Sequence, residues 1–115
     1  MEAARVAELV ARALQEKKGL ATVILDLQGV TLIADYFVIA SGTSATHVQA
    51  LAARVEEVLD TAGVRLLHRE GRDSARWILL DYGAVVVHIF QEEERRFYDL
   101  ERLWRDARMI KLDAI

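Results

Sequence analysis

The sequence predicts one α/β domain, a mixed sheet of about five strands flanked by helices. Three observations carry that prediction. The 115 residues suit a single domain, and a chain of this length buries roughly two-thirds of the surface that it exposes when unfolded. Its 53% hydrophobic residues are enough to fill a core without a metal or disulfide staple. Segments of helical period then alternate with short β-rich runs in the order α-β-β-α-β-β-β-α, which builds packed layers. There is no proline, no low-complexity linker and no internal repeat to divide the chain.

Each element has its own signal. Val6, Val10, Ala13 and Leu14 share one helical face, and Gly19 after Lys17–Lys18 is a stop, so a first helix runs to about Lys18. LATVILDL (20–27) and DYFVIASG (35–42) read as strands on either side of a turn at Gly29. In the next helix Val48, Leu51, Ala52, Val55, Val58, Leu59 and Ala62 follow the i, i+3, i+4, i+7 rule. Thr43 or Ser44 can cap its start and Gly63 can sit just past its end. VRLLHRE (64–70) reads as a third strand and GRDSA (71–75) as a loop.

WILLDYGAVVVHIF (77–90) reads as a hairpin about Tyr82–Gly83. A two-residue loop there sets Asp81 opposite Ala84, Leu79 opposite Val86 and Trp77 opposite His88. Strand side chains alternate, so Ile78, Leu80, Val85, Val87 and Ile89 form one aliphatic face, the core side. The other face mixes Trp77, Leu79 and Asp81 with Ala84, Val86, His88 and Phe90, and is expected to present an exposed indole beside a carboxylate. QEEERRFYDLERLWRDA (91–107) reads as a closing helix with Phe97, Leu100, Leu103, Trp104 and Ala107 on its apolar side. Glu92 to Glu94 at its start and Arg102, Arg105 and Arg108 at its end suit the helix dipole. The domain closes with 108–115 as a loose tail.

Composition excludes several functions. Without cysteine there is no thiol catalysis, iron–sulfur cluster or cysteine zinc site. The net charge of -3 disfavours binding dominated by phosphate contacts, DNA included. No run approaches the ~18 apolar residues of a membrane span. The amphipathic start, with Glu2, Glu8 and Glu16, is neither a signal nor a transit peptide, so a cytoplasmic protein is expected.

Catalytic patterns are thin. SGTS (41–44) lies where a strand meets a helix, a place that attracts anions, but one glycine and no following lysine is not a phosphate loop. Ser44 and His47 are three apart with no third orienting group. The histidines 47, 68 and 88 lack metal-ligand spacing, and Asp26 and Asp35 stand alone. No catalytic residue, metal or cofactor is expected.

Three long segments, ADYFVIASGTSATHV (34–48), HREGRDSARWILLDYGAVVVHIF (68–90) and QEEERRFYDLERLW (91–104), closely resemble the RsfS/Iojap/YbeB family, the ribosomal silencing factors. The likeness runs from about Leu20 to Ala107. It implies a nucleotidyltransferase-like fold without enzymatic activity. It also implies binding to the large ribosomal subunit through ribosomal protein L fourteen, a steric block to joining of the small subunit, and repression of translation under nutrient limitation. A homodimer is a further implied partner. The expected partner-binding set is Trp77, Leu80, Asp81, Tyr82, Glu70 and Glu92. An acidic chain should seek a basic, protein-coated patch, its carboxylates meeting Lys or Arg around the Trp77 anchor. Leu80 fits this set poorly, since the hairpin register turns it to the core. The family pattern usually places an acid after the turn glycine, where this chain has Ala84. The alternative, a nucleotide-binding or nucleotidyltransferase-like enzyme or sensor, is motivated by SGTS and the implied fold.

Overall fold

The computed structural model describes residues 1–112. Helix α1 (Ala3–Glu16) buries Val6, Ala7, Val10, Ala11, Ala13 and Leu14, one stripe at helical spacing. It ends two residues before the expected Lys18. Lys18 itself takes the left-handed conformation (φ 63°), and the Gly19 N–H closes the turn on Leu14 O at 2.8 Å. Helix α2 (Ala45–Thr61) starts from Ser44, whose Oγ accepts the His47 N–H. It ends at Gly63 (φ 78°), with Gly63 N–H to Asp60 O and Val64 N–H to Leu59 O. That pair of bonds needs a left-handed residue just past the helix, so glycine belongs there.

The strands are β1 (Leu20–Asp26), β2 (Tyr36–Gly42), β3 (His68–Glu70), β4 (Trp77–Asp81), β5 (Val85–Gln91) and β6 (Arg108–Lys111). They form one mixed sheet of six strands in the order β3-β4-β5-β2-β1-β6. Only β2 and β5 run parallel. The sheet thus has one strand more than expected, and the loose tail begins later than the sequence suggests. Arg108–Lys111 pairs with Val23–Asp26, and the Leu112 N–H continues the ladder to Thr22 O. All four β6 residues are exposed. An edge strand without a buried face leaves no alternation to read. Residues 113–115 lie outside the described residues. β3 is shorter than expected, starting at His68 instead of Val64.

The hairpin turns one residue later than expected. Asp81 faces Val86, Leu79 faces His88 and Trp77 faces Phe90, with Gly83 (φ 88°) and Ala84 at the tip. Each partner moves by two residues, so every side chain keeps its predicted face.

The closing helix divides into α3 (Glu92–Tyr98) and α4 (Leu100–Leu103). Asp99 between them is left-handed (φ 46°, ψ 58°), a conformation that Asp tolerates better than branched residues do. The break rephases the apolar side. Leu100 is buried, and Trp104 and Ala107 pack beside it. Phe97 and Leu103, expected inside, are 80% and 68% exposed. Arg95 is buried in their place.

Two cores result. α1 and α2 cover one sheet face with an aliphatic layer that includes Val38, Leu51, Val55, Ile78, Leu80, Val87 and Ile89. The opposite face holds Val23, Leu25, Phe37, Ile39, Val86, Phe90 and Leu100 beneath the short α3–α4 segment. No helix among the described residues is long and apolar enough to cross a membrane.

Candidate partner-docking face

Cross-strand pairs share a face. His68 lies opposite Asp81 and Glu70 opposite Leu79, so β3 adds His68 and Glu70 to the side that carries Trp77, Leu79 and Asp81. α3–α4 lies toward the middle and far side of the sheet, packing on β5 and β2. The β3–β4 side therefore remains partly open: Glu70 and His68 are exposed, and Trp77, Leu79 and Asp81 are half-buried.

The indole of Trp77 is not the bare anchor that the sequence suggests. Its ring stacks on the buried Phe90 with centroids 4.9 Å apart and meets Tyr98 of α3 at 4.6 Å. Its Nε1–H donates to His88 Nδ1 at 3.1 Å. The ring is thereby held by Phe90, Tyr98 and His88, and the residue as a whole is half-buried. His88 is 4% exposed and packs edge-on against Phe37 at 4.5 Å. With Nδ1 accepting, the ring proton of the neutral form sits on Nε2, which is buried and without a partner among the described residues. Burial penalises the imidazolium and pushes the pKa of His88 down to about 4. His88 is therefore an internal support for the indole.

Asp81 accepts the Gly83 N–H at 2.7 Å, so one oxygen stabilises the turn. Glu70 Oε2 lies 3.2 Å from His68 Nε2, both well exposed.

The six expected contact residues separate. Trp77, Asp81 and Glu70 come together on the half-open face. Glu92 is exposed at the start of α3, one residue beyond Gln91, whose N–H binds Arg76 O; it borders the Trp77 end. Leu80 is a correction. Its side chain is fully buried (0%) in the aliphatic layer, as the alternation of β4 requires, and it offers no surface to a partner. Tyr82 also lies on the helix side, packed against the aliphatic core. Burial, with the nearby carboxylate of Glu56, pushes its hydroxyl up to about 12. Two residues outside the expected contact set join this face. Tyr98, the last residue of α3, meets Trp77, and Phe97 extends the aromatic row, edge-on to Tyr98 at 5.1 Å.

The SGTS segment is occupied by its own fold. Ser41 is buried and its Oγ accepts from Arg95 Nη1 at 3.0 Å. The Thr43 N–H donates to His47 Nδ1 at 2.9 Å, and His47 Nε2 donates to Lys17 O at 2.8 Å. His47 thus ties the end of α1 to the start of α2. A side chain at Gly42 would approach Val48 to 2.8 Å, so the glycine serves close packing. Among the described residues no group of three metal-ligating side chains converges.

The whole chain, residues 1–115, matches the family model described as "Ribosomal silencing factor during starvation". It is 42% identical over 108 residues to the ribosomal silencing factor RsfS of Bacillus subtilis, covering 94% of this chain and 92% of the relative. It is 37% identical over 73 residues to the mouse "Mitochondrial assembly of ribosomal large subunit protein 1", covering 61% of this chain and 32% of that protein. A crystal structure of a Chromobacterium violaceum protein matches with a TM-score of 0.88 at 38% identity, over 90% of this chain and 87% of that one.

Proposed function

This chain belongs to the ribosomal silencing factor family, and from that premise we propose that it binds the large ribosomal subunit through ribosomal protein L fourteen. Bound there, it blocks association with the small subunit by bulk alone and so represses translation when nutrients are limiting. No bond is made or broken in this reading. It acts in the cytoplasm, where the ribosomes are.

The half-open β3–β4 face supports this reading best. It combines an aromatic anchor whose rotamer is held by His88 and Phe90 with the carboxylates of Glu70 and Asp81. Such a face suits a basic protein, because desolvated aromatics carry affinity and complementary charge sets orientation. A standard interface takes about 800 Å² from each partner, and the domain exposes 6826 Å². The relative named for large-subunit assembly points toward the same particle. A second copy of this chain competing for the indole would give a homodimer that holds the face in reserve.

Cosedimentation with separated subunits tests the reading. The wild-type chain should travel with the large subunit only and should deplete reassociated ribosomes. Glu70→Lys with Asp81→Lys should lower large-subunit retention by about tenfold, since a rim charge reversed against a basic partner becomes repulsive. Trp77→Ala should abolish retention and, if the dimer shares this face, yield a monomer in light scattering. Equal binding to both subunits, or to neither, would end the reading.

A further inference from the structure

The domain as a whole is acidic, yet one end of it is not. Helix α3 opens with Glu92, Glu93 and Glu94, but the six cations that follow between Arg95 and Lys111 balance the six acids of Glu92–Lys111, in a chain of -3. Arg95 and Glu101 neutralise each other, with Nη2 3.2 Å from Oε2. Arg96, Arg102 and Arg105 are exposed, and none has an ion-pair partner among the described residues. All three line one shallow groove with Phe97, Tyr98 and Leu103, interrupted only by Asp99 and Asp106. Phe97 is 80% and Leu103 68% exposed.

A bare phenyl ring between unpaired guanidinium groups offers a flat stacking face beside fixed positive charge. Alternating cation and π-face suit a ligand that itself alternates phosphate with a flat ring. We propose that the α3–α4 ridge is a second contact surface, for unpaired RNA, with phosphates on Arg96, Arg102 and Arg105 and an unstacked base on Phe97. The ridge continues the proposed docking face, since Phe97 touches Tyr98 and Tyr98 touches Trp77. The inference therefore deepens the ribosomal reading: the acidic face meets basic protein while the arginine-lined groove meets neighbouring RNA. It also explains why the break at Asp99 matters. On the helical spacing read from the sequence, a continuous helix would put Phe97 on the same side as the buried Leu100.

Fluorescence anisotropy with a labelled 12-nucleotide single-stranded RNA and with the matching duplex tests the ridge. The full-length chain should bind the single strand at low salt and prefer it to the duplex. Three phosphate contacts predict a log–log salt slope of about -2. Arg102→Glu with Arg105→Glu, both at exposed positions, should weaken RNA binding at least tenfold and flatten the slope. Phe97→Ala should weaken it about fivefold or more and leave the slope unchanged. Glu70→Lys should not weaken it. In cosedimentation the double arginine variant should also lose large-subunit retention, by about tenfold. Wild-type chain that ignores the oligonucleotide, or an arginine variant that binds it normally, overturns the inference. So does a variant that loses the particle while the wild type binds no RNA, which would assign the ridge to an acidic protein. Wild-type chain that binds RNA but not the large subunit would instead sink the ribosomal reading and leave the ridge standing.

Discussion

The two faces of the sheet are built from the same strands and do different work. Under α1 and α2 the layer is aliphatic and continuous, and Leu51, Val55, Ile78, Leu80, Val87 and Ile89 are wholly or almost wholly sealed. Beneath α3–α4 the layer is aromatic and interleaved with polar groups: Phe37, Phe90, Trp77 and Trp104 around His88, and a buried Arg95. Fourteen- and seventeen-residue helices cover the first face, whereas segments of seven and four residues cover the second. The second packs on β5 and β2 and touches β4 through Tyr98 on Trp77, so part of it stays open. A sealed aliphatic layer supplies stability through burial. A partly covered aromatic layer gives up some of that burial and retains area with orientation, which is what a contact needs.

Breaking each layer should produce different losses. The largest is expected at Arg95, which bonds Leu20 O, Ala21 O, Ser41 Oγ and Glu101. Arg95→Ala strands Glu101, whose other oxygen already lacks a partner, and should cost about 4 kcal/mol in urea denaturation. If it is neutral, the polar cluster is not what fastens α3–α4 to the bulged start of β1. Leu80→Ala follows, at about 3 kcal/mol, because it empties a sealed site; particle binding of the folded fraction should be normal. Weakened binding with intact stability would return Leu80 to the contact set.

Acid should act on the aromatic layer through His88. Its native pKa lies below the ordinary 6.5, so between pH 6.5 and about 4 the unfolded chain binds the extra proton. Stability from this residue is thus present above pH 6.5 and is lost as the pH falls toward 4, by roughly 3 kcal/mol. His88→Gln keeps an acceptor for the Trp77 N–H and should lose correspondingly less over that window; identical acid profiles would show that the imidazole is not the group responsible. The smallest effect belongs to Leu79, next to Leu80 but half-buried on the open face. Leu79→Ala should cost about 1 kcal/mol of stability and, unlike Leu80→Ala, should reduce large-subunit retention. A reversal of those two outcomes would exchange the roles assigned to the faces.

Much of this was legible before any coordinates. The face assignments of the 77–90 hairpin survived a displaced turn because a shift of two residues preserves alternation. Ser44 and Gly63 bound α2 as their chemistry requires. The contact set was less legible. The hairpin pattern puts Asp81 on the side of Trp77, the β3–β4 pairing adds Glu70 there, and Leu80 and Tyr82 point to the other side. Phe97 could not be identified from a pattern that reads as one helix with Phe97 inward. No residue before Asp99 signals the break, since Asp is common inside charged helices and its left-handed turn is selected by what lies around it.

The sequence by itself determined the first two helices, the central strands with the two faces of each, and the acidic balance that favours a basic partner. These follow from local chemistry, namely side-chain alternation, helical spacing, caps and counted charge. Tertiary structure alone decided that Arg108–Lys111 becomes a sixth strand, that the last helix breaks and turns Phe97 outward, and that Trp77 is gripped by His88 yet stays half-buried. Each of those outcomes depends on residues far apart in the chain competing for the same space. Burial is settled by that competition, which no single segment encodes.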